Sequence, residues 1–225
     1  MTVQVLYEDN HLLVVVKPPD IPVQEDDSGA LDLLRMLKAY IKEKYQKPGN
    51  VFLGLVHRLD RRVGGVMVFA RTSKAAARLS EQIRQRSTDK QYLAVVTGCP
   101  QNPRGRLTDY LLKDTRTNTV SVVPPNTPEA KEAILDYEVI QTQGDFSLVR
   151  IHLLTGRAHQ IRVQMAHMGT PLYGDAKYSG VRVPPETPLA LWANTLSFNH
   201  PISKESMTFQ SLPPEHYPWS LFRWD

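Results

Sequence analysis

The stretch HRLDRRVGG, residues 57–65, sets one carboxylate, Asp60, among three arginines, Arg58, Arg61 and Arg62, and follows them with Gly64 and Gly65. An apolar run comes next, Val66-Met67-Val68-Phe69-Ala70, and reads as a strand. The paired glycines suit a tight turn or a close backbone approach where a bulky ligand docks. Arginines alone would mark a polyanion site, and a lone Asp would mark a salt bridge. Together they describe an acid on a nucleic-acid surface, which the rest of the chain must support.

Charge is distributed to match. The chain has 225 residues and a net charge of only +4. Residues 1–50 carry six Lys/Arg against eight Asp/Glu, whereas residues 57–90 carry nine against three. Seven of those nine cations are arginine, the side chain best shaped for bidentate phosphate contacts. The length accommodates a sizeable core, and 41% hydrophobic residues with 22% charged is ordinary globular composition. No apolar window approaches the roughly 18 residues of a membrane span, and the N-terminus lacks the basic and apolar blocks of a signal peptide. The single cysteine, Cys99, excludes an intramolecular disulfide and a Cys-based metal cluster. The cytoplasm is the expected compartment.

Outward from the opening stretch, HLLVVVKPP (11–19) reads as a buried strand stopped by Pro18-Pro19. Residues 29–47 place Leu31, Leu34, Leu37, Ile41 and Tyr45 at helical spacing, with Ser28 as N-cap and Pro48-Gly49 as the stop. A second helix is predicted over 74–86, on the stripe Ala76, Leu79 and Ile83. YLAVV (92–96) reads as a strand, and 135–140 with 146–154 as an antiparallel pair turning at Gln143-Gly144-Asp145. Residues 155–169, TGRAHQIRVQMAHMG, read as a helix with a core stripe of Ala158, Ile161, Met165 and Met168, ended by Gly169. His159 and Arg162 share a face of it. Thr119–Lys131 and Val183–Pro188 read as exposed loops. The mixture predicts one α+β domain.

Other chemistries find no support. His152, His159 and His167 lie seven and eight residues apart, unlike the spacings of common zinc sites. There is no GxSxG nucleophile elbow, no P-loop, and no glycine-rich kinase loop to accompany the HRD-like letters of HRLD.

Two long segments carry a resemblance. HRLDRRVGGVMVFART resembles the HRLDxxTSG segment of the RluA-type pseudouridine synthases. TGRAHQIRVQMAHMGTPLYGDAKYSG is similar to that family's TGRxHQIRVHLAHxGxPLxGDxxYG. Weaker matches follow in order at 7–23, 90–98 and 189–201, where Trp192 stands in a histidine's place. The likeness runs from about Tyr7 to Pro214.

The resemblance implies an isomerase that converts uridine to pseudouridine in RNA. It also implies one catalytic domain, 1–225, without the S4 domain that many relatives carry. Its sheet would be mixed and largely antiparallel, flanked by helices, with an RNA cleft across the middle. Asp60 matches the catalytic aspartate, Arg162 the arginine that pairs with it, and Tyr92 the tyrosine that packs on the target uracil. Arg58 matches the arginine that fills the gap left by the flipped base. His57, Arg61, Arg62, Arg157, His159 and Gln160 are expected at the RNA, and no metal or organic cofactor is required.

Val63 and Gly64 stand where the family has Thr-Ser, so a hydroxyl beside the site is missing. Hydrolytic glycosidases use two carboxylates because water must be activated. This isomerisation needs no water attack and its uracil anion delocalises charge, so one carboxylate suffices. Asp60 attacking C1′ and Asp60 taking a proton from C2′ both remain open. So does a catalytically inactive RNA-binding protein on the same fold. A monomer acting on a structured rRNA or tRNA stem-loop is the expected form.

Overall fold

A computed structural model of the chain describes residues 3–26 and 29–224. In chain order the elements are β1 (Gln4–Glu8), β2 (Leu12–Lys17), α1 (Leu33–Lys44), β3 (Gly54–Leu55), β4 (Gly64–Ala70), α2 (Ser73–Arg84), β5 (Asp89–Thr97) and β6 (Arg104–Asp114). There follow β7 (Thr119–Val123), β8 (Lys131–Gln143), β9 (Phe146–Leu153), α3 (Gln160–His167), β10 (Leu191–Asn199) and β11 (Ser206–Gln210). The fold is α+β, and the chain groups into two compact units: residues 1–89 with 193–212, and 90–192 with 213–225.

In the first unit the strands run β1-β2-β4-β10, with β11 beside β10 and β3 beside β4. The pairs β1–β2, β2–β4, β3–β4 and β10–β11 are antiparallel. β2 and β4 are buried along their whole length, which is why both read as continuous apolar runs and not as alternations. Leu12, Val14, Val66, Val68, Leu196 and Phe198 pack with Ala75 and Leu79 of α2. The stripe of α2 therefore falls on Ala75 and Leu79, one residue from the predicted Ala76 start, with Thr72 as its N-cap.

α1 also starts later than its apolar spacing suggests. Ser28 lies outside the described residues, and the N-cap is Asp32, whose side chain accepts from Arg35 N at 2.9 Å. Two more of the helix's orphan N–H groups, on Leu33 and Leu34, are taken by the carbonyls of Pro22 and Val23. Leu33, Leu37 and Ile41 form the buried stripe, while Leu31 stays exposed.

In the second unit the order is β5-β9-β8-β6-β7, and every neighbouring pair is antiparallel. The predicted hairpin is β8–β9, turning through Gly144 in the left-handed region at φ 56°. The Thr119–Lys131 segment is not all loop: Thr119–Val123 pairs with β6, and its Val120 is buried with Leu111, Ala133 and Val163.

α3 departs most from expectation. It spans eight residues, and six in a row, Gln160–Met165, are buried. Ala158 is exposed and Met168 only partly covered, so the anticipated single stripe does not exist. A helix enclosed on nearly every side must satisfy its polar residues internally. Gln160 donates to the Ile134 carbonyl and to Gln164, whose own amide donates to Asp109 and the Ala133 carbonyl.

Gly65 explains the paired glycines. It sits at φ +121°, and a Cβ there would lie 2.2 Å from the Ala193 carbonyl oxygen. Gly65→Ala should therefore cost about 3 kcal/mol or more through strain and clash combined. A thermal melt checks this, and a variant with the wild-type melting temperature would contradict the close approach.

Candidate active site

The first unit carries Asp60 on the loop between β3 and β4. Leu59 and Val63 are buried and anchor the loop from either side. Between them Val63 N donates to the Asp60 carbonyl at 3.0 Å, closing a turn that leaves Arg61 and Arg62 at its tip. Val63, which lacks the family's hydroxyl, serves here as an apolar anchor.

Lys17 fixes this turn. It is fully buried, and its ammonium donates to the carbonyls of Pro18 at 2.9 Å, Arg61 at 2.8 Å and Val63 at 2.7 Å. Three N–H groups meet three acceptors. Burial pushes the Lys17 ammonium down to about 7, with the negative charges of Asp60 and Asp20 opposing the shift. The carboxylate that seemed surrounded by arginines thus has a buried lysine in its field.

His57 acts on the fold as well. β3 pairs with β4 at Gly54–Ala70 and Leu55–Phe69. The next strand donor, Val68 N, is accepted by His57 Nε2 at 3.1 Å. A side chain continues the ladder where the backbone has turned away, and the proton on the ring resides on Nδ1.

The three arginines differ. Arg61 donates from Nε to the Asp20 carbonyl and stands 3.8 Å from Asp26. Arg62 stands 3.7 Å from Asp20. These ion pairs are long and partly solvated, so they are weak and leave both cations on the surface. Arg58 is exposed.

The second unit carries Tyr92, Arg157, His159, Gln160 and Arg162. Tyr92 lies on β5 opposite Ile151 of β9, which is itself opposite Tyr137 of β8. It is 9% exposed, and burial pushes its hydroxyl up to about 12. Tyr92 therefore keeps its proton throughout the physiological range.

Arg162 is buried and bonds side-on to Asp175, Nε to Oδ2 at 2.8 Å and Nη2 to Oδ1 at 2.7 Å. The Tyr178 ring lies against its guanidinium, 5.0 Å to the centroid. His159 precedes α3 in the left-handed region at φ 51°, with Nδ1 2.5 Å from the Tyr178 hydroxyl. His159 therefore lies outside the helix and shares no helical face with Arg162; the two residues meet instead at Tyr178.

Gln160 is a correction. Its amide oxygen accepts from Thr155 and from Arg157 N, and its nitrogen donates twice within the protein. Buried and fully bonded, it holds the fold together and has no polar capacity left for RNA. Arg157 is half-buried and donates Nε to the Glu132 carbonyl at 2.8 Å.

Lys17, Asp175 and Tyr178 are not among the expected site residues, although Asp175 and Tyr178 lie in the quoted GDAKYSG. A lysine ending an all-apolar strand is a signal, because a buried cation is costly unless several partners meet it. Among the described residues no group of three or more His, Cys, Asp or Glu could hold a metal ion, and no helix is long and apolar enough to cross a membrane.

Comparison with known proteins agrees with the motifs. Residues 11–167 match the model of the RNA pseudouridylate synthase family. An uncharacterized RNA pseudouridine synthase of Bacillus subtilis, YlyB, is 32% identical over 96% of this chain and 70% of its own. The ribosomal large subunit pseudouridine synthase D of Pseudomonas aeruginosa is 34% identical over 99% of this chain and 72% of its own. The structure of human RNA pseudouridylate synthase domain containing 4 superposes with a TM-score of 0.81 at 24% identity, covering 97% of this chain and 91% of the other. That last likeness is one of fold. The chain belongs to the RNA pseudouridylate synthase family, of the RluA type, and is by that membership an RNA-modifying isomerase.

Lys17 yields a test with a definite sign. Lys17→Met leaves buried carbonyls unpaired and should cost about 3 kcal/mol or more. Because the folded-state value, about 7, lies below the ordinary 10.5, the unfolded chain holds the extra proton between those limits. Wild-type stability should therefore rise with pH across that window, while Lys17→Met lacks this contribution. Melts of both proteins at a series of pH values should show the gap widening as pH rises, and a constant gap would contradict the shift.

Proposed function

We propose that this protein isomerises specific uridines of structured RNA, with ribosomal RNA the first substrate to test, and that Asp60 is the catalytic carboxylate. Arg162 supplies the cation that keeps Asp60 ionised, and Tyr92 packs on the target uracil. The observation that carries the reading is Asp60 itself, which occupies the family's HRLD position on a turn pinned by the buried Lys17. The names of relatives that act on the ribosomal large subunit favour rRNA over tRNA. We further propose a monomer working in the cytoplasm, where such RNA is found.

The chemistry needs one bond broken and one formed. The C1′–N1 glycosidic bond breaks with its electrons leaving on the uracil as a delocalised anion. Asp60 either bonds C1′, in an ester that breaks as C5 takes its place, or removes the C2′ proton and returns it as the new bond forms. The base turns and C5 bonds to C1′; the C5 proton then leaves, which restores aromaticity, and N1 takes up a proton. No atom is gained or lost overall. Reaching the base requires extruding it from the RNA, at about a few kcal/mol. Arg58, exposed and planar, suits the vacated stack, and Arg61, Arg62, Arg157 and His159 suit the flanking phosphates.

Release of tritium from RNA labelled at uridine C5 measures the reaction, and mapping pseudouridine in rRNA and tRNA after incubation identifies the site. Asp60→Asn should fold normally and lose about 1,000-fold or more in rate. Turnover within about tenfold of wild type would sink the assignment, and RNA binding without tritium release by the wild type would favour the inactive alternative.

Tyr92 separates stacking from acid–base work. Tyr92→Phe should bind RNA nearly normally because the ring is kept, and a near-normal rate in that variant would assign no acid–base role to the hydroxyl, which holds its proton at neutral pH. Tyr92→Ala should lose about 1–3 kcal/mol of RNA binding. Equal rates for Tyr92→Ala and wild type would place the residue in the core alone.

A further inference from the structure

Arg162 is gripped by one short segment of chain, Gly174–Tyr178. The segment is itself held rigidly. Gly174 sits at φ +75°, and a Cβ there would lie 1.9 Å from the Pro188 carbonyl oxygen. Tyr173 N donates to Val95 O at 2.8 Å, and Ala190 N donates to Tyr173 O at 3.0 Å. Asp175 is wholly buried, and besides the two bonds from Arg162 its Oδ1 accepts the N–H groups of Lys177 at 3.0 Å and Tyr178 at 3.2 Å. The carboxylate cannot turn without breaking the backbone bonds that define the segment.

A side-on pair fixes more than a distance. Engaging Nε and Nη2 together sets the plane of the guanidinium and the direction of Nη1, which the pair does not use. Tyr178 bounds the same plane from one face. Its hydroxyl accepts Val120 N of β7 at 3.0 Å and meets His159 Nδ1. The ring is thereby anchored at its far end and cannot slide from under Arg162.

We propose that Asp175 and Tyr178 are positioning residues of the isomerisation, which aim the Arg162 guanidinium and hold it in one plane. The inference rests on the reading of Arg162 as a catalytic cation. A buried pair that served stability alone would be replaceable by apolar residues without effect on the rate of the folded enzyme. A pair that aims a reacting-site cation would not be.

The test reads single-turnover tritium release, RNA affinity and melting temperature for the same proteins. Arg162→Ala should lose about 100-fold in rate, and ethylguanidinium added at millimolar concentration should restore about tenfold of it. The double variant Arg162→Ala/Asp175→Ala, which removes both charges together and so avoids an unpaired buried carboxylate, should show no such rescue. Asp175→Asn should lose about 100-fold in rate with RNA affinity within about twofold of wild type. Tyr178→Leu should lose about tenfold and Tyr178→Phe, which keeps the ring but not its anchor, about threefold. Rescue as large without Asp175 as with it would overturn the proposal, as would an Asp175→Asn enzyme that melts lower yet turns over at the wild-type rate. Wild-type activity in Arg162→Ala would instead refute the catalytic reading of that arginine, and the positioning role with it. An inactive Arg162→Ala beside a fully active Asp175→Asn would refute the positioning role alone.

Discussion

The ammonium of Lys17, removed from water and bonded to three backbone carbonyls, is the constraint on which the Asp60 loop depends. A loop at a strand end normally exposes its carbonyls to solvent, and its conformation wanders accordingly. Here two of those carbonyls, on Arg61 and Val63, are committed to a cation mounted at the end of β2, the strand next to β4. The turn beginning at Asp60 is therefore referenced to the sheet and not to solvent. In its protonated form, which burial confines to pH values up to about 7, the same group contributes positive potential at Asp60 that solution ions screen less than they would a surface charge. Support of a functional carboxylate by a buried cation is an expensive arrangement, since desolvating the lysine opposes folding. A completed set of three acceptors offsets that cost.

Much of the sheet could be read without coordinates because its strands obey simple rules. β2 and β4 are enclosed on both faces and appear as unbroken apolar runs, while β8 and β9 flank a Gly-Asp turn. Other elements have no local signature. β7 lies in a stretch rich in Pro, Thr and Asn, and is a strand because β6 offers it a partner and Val120 a place in the core. The start of α1 is masked in the sequence, because Leu31 mimics a helical position although Asp32 provides the cap. α3 has no readable period, since enclosure of six residues in a row, Gln160–Met165, removes the contrast between an inner and an outer face.

The site divides in the same way. Asp60, Arg162 and Tyr92 stand in motifs whose order and spacing are visible in one dimension. The roles of Lys17, a lysine ending an apolar strand, and Asp175, the Asp of the quoted GDAKYSG, are not visible, because they depend on groups that only folding brings near. Lys17 reaches carbonyls 44 and 46 residues away, and nothing in the letters LLVVVKPP specifies them. Gln160 is the opposite error: it sits inside the longest matching motif yet spends every polar atom on the protein. A motif records that a residue type is needed at a position, and burial decides whether the need is chemical or architectural.

The bond from Val68 N to His57 Nε2 changes how mutational data around Asp60 must be interpreted. β3 contributes two residues to its pairing with β4, and the imidazole supplies the next acceptor, so the register of that strand edge passes through a side chain. Replacing His57 removes an acceptor from the sheet and loosens the start of the loop three residues before Asp60. Loss of turnover in such a variant is therefore not by itself a sign of lost contact with RNA. An asparagine or glutamine that could still accept the strand N–H is the informative replacement, because it separates the scaffold's need for an acceptor from any need the reaction has for an imidazole.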